Sequence, residues 1–208
     1  MNSFLGPAAP FAALIAAAVM GMRVPAQASV RAPAARPRAQ SHVLDLHGRP
    51  IDVLSATDRG PVVLVFTRTD CPIANRYAPE LGRLRSRFAR RGIAFWLVYV
   101  DGSEPVEAIE RHAAEFGRGF GAVRDPEHEL VRAAQATVTP EAAVFVRGAN
   151  GVEVVYRGRI DDRYVDFGRA RPAPTSRDLE QVLAALASGA ALARRTTPAV
   201  GCFISAKE

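Results

Sequence analysis

Residues 61–79 read PVVLVFTRTDCPIANRYAP, and how this stretch is parsed decides the fold. Val62, Val63, Leu64, Val65 and Phe66 form an unbroken β-branched and aromatic run, the pattern of a strand covered on both faces and therefore central in its sheet. Thr67, Arg68, Thr69 and Asp70 break the run with turn and cap chemistry, and Pro72 suits the first turn of a helix, where a missing N–H costs nothing. Cys71 thus falls at a helix N-terminus, at the carboxyl end of a buried strand. The positive end of the helix dipole and the unpaired amides there favour thiolate, the reactive form of cysteine, and Arg68 and Arg76 are expected to push the same way. The competing reading is a small buried residue that closes a strand, the commoner fate of a free cysteine.

Downstream, Tyr77, Leu81, Leu84 and Phe88 recur at helical spacing, an amphipathic face against the sheet, with a kink expected at Pro79. Gly92 ends that segment. Residues 93–100, IAFWLVYV, then give a second buried strand with Trp96 in the core, so that strand, helix and strand form a parallel right-handed unit. Residues 104–116 read as a helix with Ile109, His112 and Ala113 facing inward, and Asp125-Pro126 opens another through Leu130 to Ala136. Pro140 stands directly before a strand in ATVTPEAAVFV, residues 136–146. A turn over residues 148–151 returns the chain as an antiparallel partner over residues 152–160. A helix capped by Thr175 or Ser176 then runs through Leu179, Val182, Leu183 and Leu186 to Gly189.

Strand, turn, Cys-Pro-x-x and helix in this order resemble the active-site segment of the thioredoxin-like superfamily. Their surroundings resemble its redoxin branch, which includes the AhpC/TSA (peroxiredoxin-like) proteins and secreted thiol oxidoreductases. The resemblance covers about residues 42–188. It implies an α/β fold, a central mixed β-sheet flanked by helices, and Cys71 as nucleophile toward a disulfide sulfur or a peroxide oxygen. Two family motifs are absent: the position of the second cysteine in Cys-x-x-Cys is Ala74, and Arg68 stands where peroxiredoxins place Thr or Ser. Val138-Thr139-Pro140 resembles the cis-proline segment that faces the catalytic cysteine, the alternative being a trans proline on an edge strand. Since the strand after Pro140 would begin beside Cys71, its antiparallel partner would end there. Arg159, Asp161 and their neighbours to Tyr164 become candidates for the site's rim, with a solvated loop as the alternative.

On that resemblance Cys202, the only other cysteine, becomes the resolving thiol. It sits in an apolar Ala199–Ile204 tip on a tail that begins at Ala190, expected to be exposed as far as Pro198. The external partners implied are a protein thiol or disulfide or a peroxide, together with a thiol reductant; no cofactor is called for. A buried acid is missing from the central strand, which leaves water, Asp70 or the Asp161-Asp162 loop to carry protons. From another functional class, the same two cysteines could form a permanent disulfide in a non-catalytic binding or assembly module. A copper-delivery redoxin would need a cysteine where Asn75 stands.

The chain has 208 residues, 49% of them apolar, which suits one globular domain over residues 42–189 with additional segments at both ends. Its charge of +6 is carried almost wholly by arginines interleaved with acids, Lys207 being the only lysine. No basic stripe with stacking aromatics is present, so nucleic acid is not a partner on this reading. Phosphate-loop, dinucleotide, Ser-His-Asp and haem-attachment motifs are also lacking, and His42 and His47, with no cysteine nearby, read as loop residues rather than metal ligands. Residues 1–28 read as a secretory signal, apolar from Phe11 to Met22 and ending in an Ala-x-Ala site at Ala26-Gln27-Ala28. An uncleaved N-terminal anchor, the one route to a membrane, is disfavoured because the apolar segment is short. Residues 29–41, rich in Ala, Arg and Pro, read as a flexible linker, and the export signal implies a periplasmic or secreted protein.

Overall fold

The computed structural model describes residues 41–190 and 192–205. The expected signal and all but the last residue of the expected linker lie outside the described residues. The chain opens with β1 (Leu44–Asp45) and a 3-10 turn (Val53–Asp58), followed by β2 (Val62–Thr67), α1 (Pro72–Phe88), β3 (Ala94–Tyr99), α2 (Val106–Phe116), β4 (Gly121–Arg124) and α3 (Glu129–Ala134). Then come β5 (Val138–Thr139), β6 (Glu141–Gly148), β7 (Gly151–Gly158), β8 (Tyr164–Asp166), β9 (Arg169–Ala170), α4 (Asp178–Ala187), β10 (Arg195–Thr196) and β11 (Cys202–Phe203).

Seven strands make one mixed sheet in the order β1-β4-β3-β2-β6-β7-β10. β2, β3 and β4 run parallel, and β6 and β7 continue the sheet antiparallel from β2. The apolar run 62–66 is therefore the centre of the sheet, and all six residues of β2 are buried. Because successive side chains on a strand point to opposite faces, β2 feeds two cores. Val63 and Val65 pack in one cluster with Leu84 and Phe88 of α1, Ile109 of α2 and Leu179 and Leu183 of α4. Val62, Leu64 and Phe66 pack in the other with Val53, Val98, Val123, Phe145 and Leu130 of α3. Leu84 and Phe88 are 0% and 1% exposed, so truncating either to Ala costs about 3–5 kcal/mol in lost contacts and residual cavity.

α1 begins where Pro72 predicts, with Cys71 as N-cap, and it continues as one element through Pro79. Gly92 stops the segment in a left-handed conformation, φ 80°. α3 is shorter than the sequence suggests. Its start is set by the Asp125 carboxylate, which accepts from the Glu129 and Val131 amides, and Gln135, at φ 59°, ends it.

The tail corrects an expectation. The sequence leads one to expect residues 190–198 exposed, yet Arg195 and Thr196 form an edge strand parallel to β7, and Thr197 is buried. The Thr197 amide donates to Arg157 O, and its hydroxyl pairs with Tyr156 Oη at 2.8 Å. Gly158 makes this approach possible, since a Cβ there would lie 2.2 Å from Thr197 O. A strand of two residues carries no periodic signal, which is why the sequence does not announce it.

Candidate active site

The carboxyl end of β2, the N-terminus of α1, the strand β5 and the terminal strand β11 converge on two sulfurs. The Cys71 thiol is fully buried and donates to Thr139 O at 3.1 Å. The Thr139-Pro140 peptide is cis. β11 lies antiparallel on β5 with Cys202 opposite Thr139, and Ile204 N donates to Thr137 O. The backbones approach so closely that a Cβ on Gly201 would lie 2.1 Å from Thr139 O. This pairing brings Cys202 Sγ to 3.1 Å from Cys71 Sγ, with both cysteines free.

Burial works against ionisation of Cys71, but the neighbouring Thr139 hydroxyl, Cys202 thiol and Ala74 amide outweigh it and hold the thiol below the ordinary cysteine range. Thr139 Oγ1 is buried with no hydrogen-bond partner, so its O–H is free to turn to this sulfur once the thiolate forms. Cys202 moves the opposite way, pushed up to about 11 by burial and by the adjacent Cys71. The two thiols are thus shifted in opposite directions, and Cys202 donates to the Cys71 sulfur.

Cys71 is the N-cap of α1 and makes no side-chain cap hydrogen bond, and among the described residues neither arginine is hydrogen-bonded to a sulfur. Arg68 is engaged by Asp70 at 3.0 Å and Asp101 at 3.4 Å, so its charge is largely answered by carboxylates. Arg76 is exposed and lines a separate groove with Tyr77, Glu80 and Asp161. The expected rim also divides. Arg159 pairs with the buried Asp178 at 2.8 Å, and Asp161 accepts from Tyr77 Oη at 2.6 Å. Asp162 accepts from the Thr175 and Ser176 amides, which hold its carboxyl down at about 2. Among the described residues no carboxylate is hydrogen-bonded to either sulfur.

Three features escaped the sequence reading. Glu104 Oε1 accepts from both the amide and the hydroxyl of Thr69, at 2.8 and 2.9 Å, and burial raises its carboxyl above the ordinary range. Glu141, 2% exposed and directly after Pro140, accepts from the Thr137 and Val138 amides and so fixes the turn that presents β5. A carboxylate at the head of the apolar run AAVFV was its only signal. Finally, burial holds the His112 imidazole below its ordinary range; it contacts Tyr99 Oη at 2.8 Å and Asn75 Oδ1 at 2.7 Å, and Asn75 Nδ2 donates to Thr69 O. This chain is satisfied throughout if His112 carries its proton on Nε2, and it ties α2 to the turn before Cys71. Among the described residues no group of three or more His, Cys, Asp or Glu is placed to hold a metal, and no helix is long and apolar enough to cross a membrane.

A family model described as AhpC/TSA matches residues 32–156. Among curated proteins none matches. Solved structures share the fold at low identity. A hypothetical protein from Sinorhizobium meliloti is 22% identical, with TM-score 0.63 over 78% of this chain and 88% of its own. An uncharacterized conserved protein from Geobacillus kaustophilus is 23% identical, with TM-score 0.67 over 79% and 87%. A secreted Mycobacterium tuberculosis disulfide oxidoreductase, homologous to Escherichia coli DsbE, is 19% identical, with TM-score 0.47 over 74% and 99%. Cys71 lies inside the family match and Cys202 beyond it.

Proposed function

Because the chain belongs to the AhpC/TSA family, within the thioredoxin-like fold, we propose that it is a thiol-disulfide oxidoreductase in which Cys71 is the nucleophile and Cys202 the resolving thiol. The observation that carries this reading is the 3.1 Å separation of two free sulfurs, one at a helix N-terminus and the other delivered by a strand paired to β5. A bonded pair would stand at about 2.05 Å. The thiols are therefore within reach of one another but unjoined, as a reduced dithiol requires.

The Cys71 thiolate attacks one sulfur of a substrate disulfide, forming a mixed disulfide and expelling the other sulfur as thiolate. With Cys71 now bonded, its charge no longer opposes ionisation of Cys202. Cys202 loses its proton, attacks Cys71 Sγ and releases the second substrate thiolate, leaving a Cys71-Cys202 disulfide. A peroxide enters the same cycle by taking Cys71 to sulfenic acid, which Cys202 condenses to the same disulfide with loss of water. An external dithiol restores the reduced pair. Thr139 Oγ1, buried with no hydrogen-bond partner, is the hydroxyl we assign to the thiolate, with Thr67, Thr69, Asp70, Pro72 and Pro140 as the site's surroundings.

The test is mass spectrometry of purified protein before and after a disulfide substrate, a peroxide and a mild dithiol. Loss of two hydrogens with Cys71 and Cys202 joined, reversed by the dithiol, is the expected result, and the faster oxidant identifies the substrate. A bridge that resists mild dithiol would instead favour the non-catalytic module. Export rests on residues 1–28, and a mature chain beginning at Ser29 is the expected product.

A further inference from the structure

The three parallel strands of the sheet end at one cavity. It has a volume of about 530 Å³ and lies where β2, β3 and β4 give way to their loops: Arg68 follows the first, Asp101 and Ser103 the second, Glu127 and His128 the third. In a sheet of this kind the crevice beyond the carboxyl ends of the strands is where ligands sit. Ile204 of the tail supplies a further wall. Arg68 stands three positions before Cys71 and Ile204 two after Cys202, so the cavity is bounded by both segments that carry the sulfurs.

The polar side chains of this cavity offer lone pairs rather than protons. His128 is only 9% exposed, and its Nε2 lies 2.8 Å from Val100 O. A carbonyl only accepts, so Nε2 carries the proton and, in the neutral ring, Nδ1 is a bare acceptor; among the described residues nothing is hydrogen-bonded to it. Ser103 directs its one O–H to Asp101 Oδ1 at 2.6 Å, which leaves lone pairs on Oγ. Asp101 and Glu127 bring carboxylates, and Arg68 is already shared between Asp101 and Asp70. One arginine against Asp70, Asp101 and Glu127 makes this corner acidic in a chain whose formal charge is +6. A ligand here must therefore bring the protons and the positive charge. Val100, Pro126 and Ile204 make the remaining wall apolar, which suits a methylene stem.

We propose that the cavity is a substrate subsite for a basic side chain, an alkyl stem ending in an ammonium group, carried next to the disulfide that Cys71 attacks. An ammonium presents three N–H donors to acceptors from the loops after β3 and β4, while its stem covers the apolar wall. An acidic substrate meets the same carboxylates and is disfavoured, so the corner selects as well as binds. The inference rests on the Cys71-Cys202 cycle proposed above and adds no covalent step to it: the ammonium stays protonated while bonds change only at sulfur.

The experiment follows oxidation of the reduced full-length protein, read by intact mass, with the symmetrical disulfides of three peptides that differ in one residue next to the cysteine: Lys, norleucine or Glu. At low salt the Lys peptide should react about tenfold faster than the norleucine peptide and the Glu peptide slowest, and high salt should compress the three rates. Glu127 is exposed, so Glu127→Gln keeps the fold, and it should lower the Lys-to-norleucine ratio about threefold. Asp101→Asn combined with Glu127→Gln should bring the ratio near one; the ratio cancels any change in sulfur reactivity common to both peptides. Glu153→Gln, which neutralises an exposed carboxylate on β7, should leave it unchanged. Cystamine against the uncharged bis(2-hydroxyethyl) disulfide distinguishes the source of the ammonium. The same advantage, abolished by the same substitutions, makes a small aminodisulfide sufficient, whereas an advantage confined to the peptides assigns the subsite to a polypeptide. Equal rates for the Lys and norleucine peptides, a faster Glu peptide, or a Lys advantage that survives the double substitution each overturns the subsite. If none of these disulfides joins Cys71 to Cys202, the oxidoreductase reading itself fails, and this inference with it.

Discussion

Cys71 and Cys202 lie 3.1 Å apart, yet the two regions that deliver them are built differently. Cys71 is fixed from below: the residue opens a helix of 17 residues whose inner face is core, on a strand buried along its whole length. Cys202 is held from the side, by two two-residue strands and a handful of polar contacts. Each of those hydrogen bonds contributes only about 0.5–1.5 kcal/mol net, whereas dislodging Cys71 means breaking the core. One sulfur is therefore a fixed point and the other a hinged arm lying over it. In the cycle proposed above the arm supplies the resolving thiol, and it lies against the buried Cys71.

The sharpest way to break this comparison is to remove each sulfur in turn. Cys71→Ser should reduce disulfide exchange to the uncatalysed background, because the thiolate-stabilising donors no longer have a sulfur to act on. Cys202→Ser should keep the first attack and accumulate the mixed disulfide, read as a mass adduct on Cys71. Equal loss in both variants would mean that the two positions are not divided into attacker and resolver.

Next in size is the arm as a cover. In a Cys202→Ser background, Gly201→Val forces a side chain where Thr139 O already lies 2.1 Å from the nearest possible Cβ, so β11 must lift from β5. Iodoacetamide labelling of Cys71 should rise roughly 10- to 100-fold, corresponding to the loss of about two strand hydrogen bonds. Truncation after Pro198 should give the same rise. An unchanged rate would show that Cys71 reacts through openings that do not involve the tail.

The same contrast explains what the sequence discloses. The site's lower half is written locally: five apolar residues, a polar turn, Cys71 and Pro72 dictate strand, turn and helix without help from elsewhere. The central strands of the mixed sheet and the α/β class follow from such runs. The tail is written non-locally. Nothing in RRTTP predicts pairing with β7, because the pairing depends on Gly158 leaving room and on Asp178 waiting for Arg195. The rim is non-local in the same way: Arg159 and Asp161 stand just beyond β7, and each has its partner on another element, Asp178 and Tyr77. Charge neutralisation of Arg68 by Asp101, 33 positions away, was likewise invisible to a reading of neighbours.

A third experiment tests the electrostatic side of the fixed half. Thr139→Val removes the hydroxyl that helps hold the Cys71 thiol down, so the midpoint of its alkylation-pH profile should move up toward the ordinary cysteine value of about 8.5. The sign for stability follows from the depressed folded value: the contribution is complete above the unfolded pKa and is lost as pH falls through the folded one. Wild type should therefore lose more stability than Thr139→Val on going from pH 9 to pH 6, measured by denaturant midpoints. Parallel curves would remove Thr139 from the account.

The smallest expected effect asks whether the arm moves as one piece. Asp178, fully buried at the start of α4, receives Arg159 from just beyond β7, Arg195 from β10 and the Ser176 hydroxyl. Arg195 is 40% exposed, so its share is screened by solvent and contributes about 1 kcal/mol or less. Arg195→Ala leaves Arg159 in place, so no buried charge is stranded, and the fold should hold. If β10 and β11 open together, that 1 kcal/mol appears as an increase of up to about fivefold in Cys71 labelling in the Cys202→Ser background. High salt should produce part of the same increase in the unmutated tail by screening the pair. If β11 opens alone, Arg195→Ala leaves labelling unchanged while Gly201→Val still raises it. The arm then hinges between Thr197 and Gly201, and the cover over Cys71 is a six-residue flap anchored by the buried Thr197, residues 199–204, rather than the whole tail.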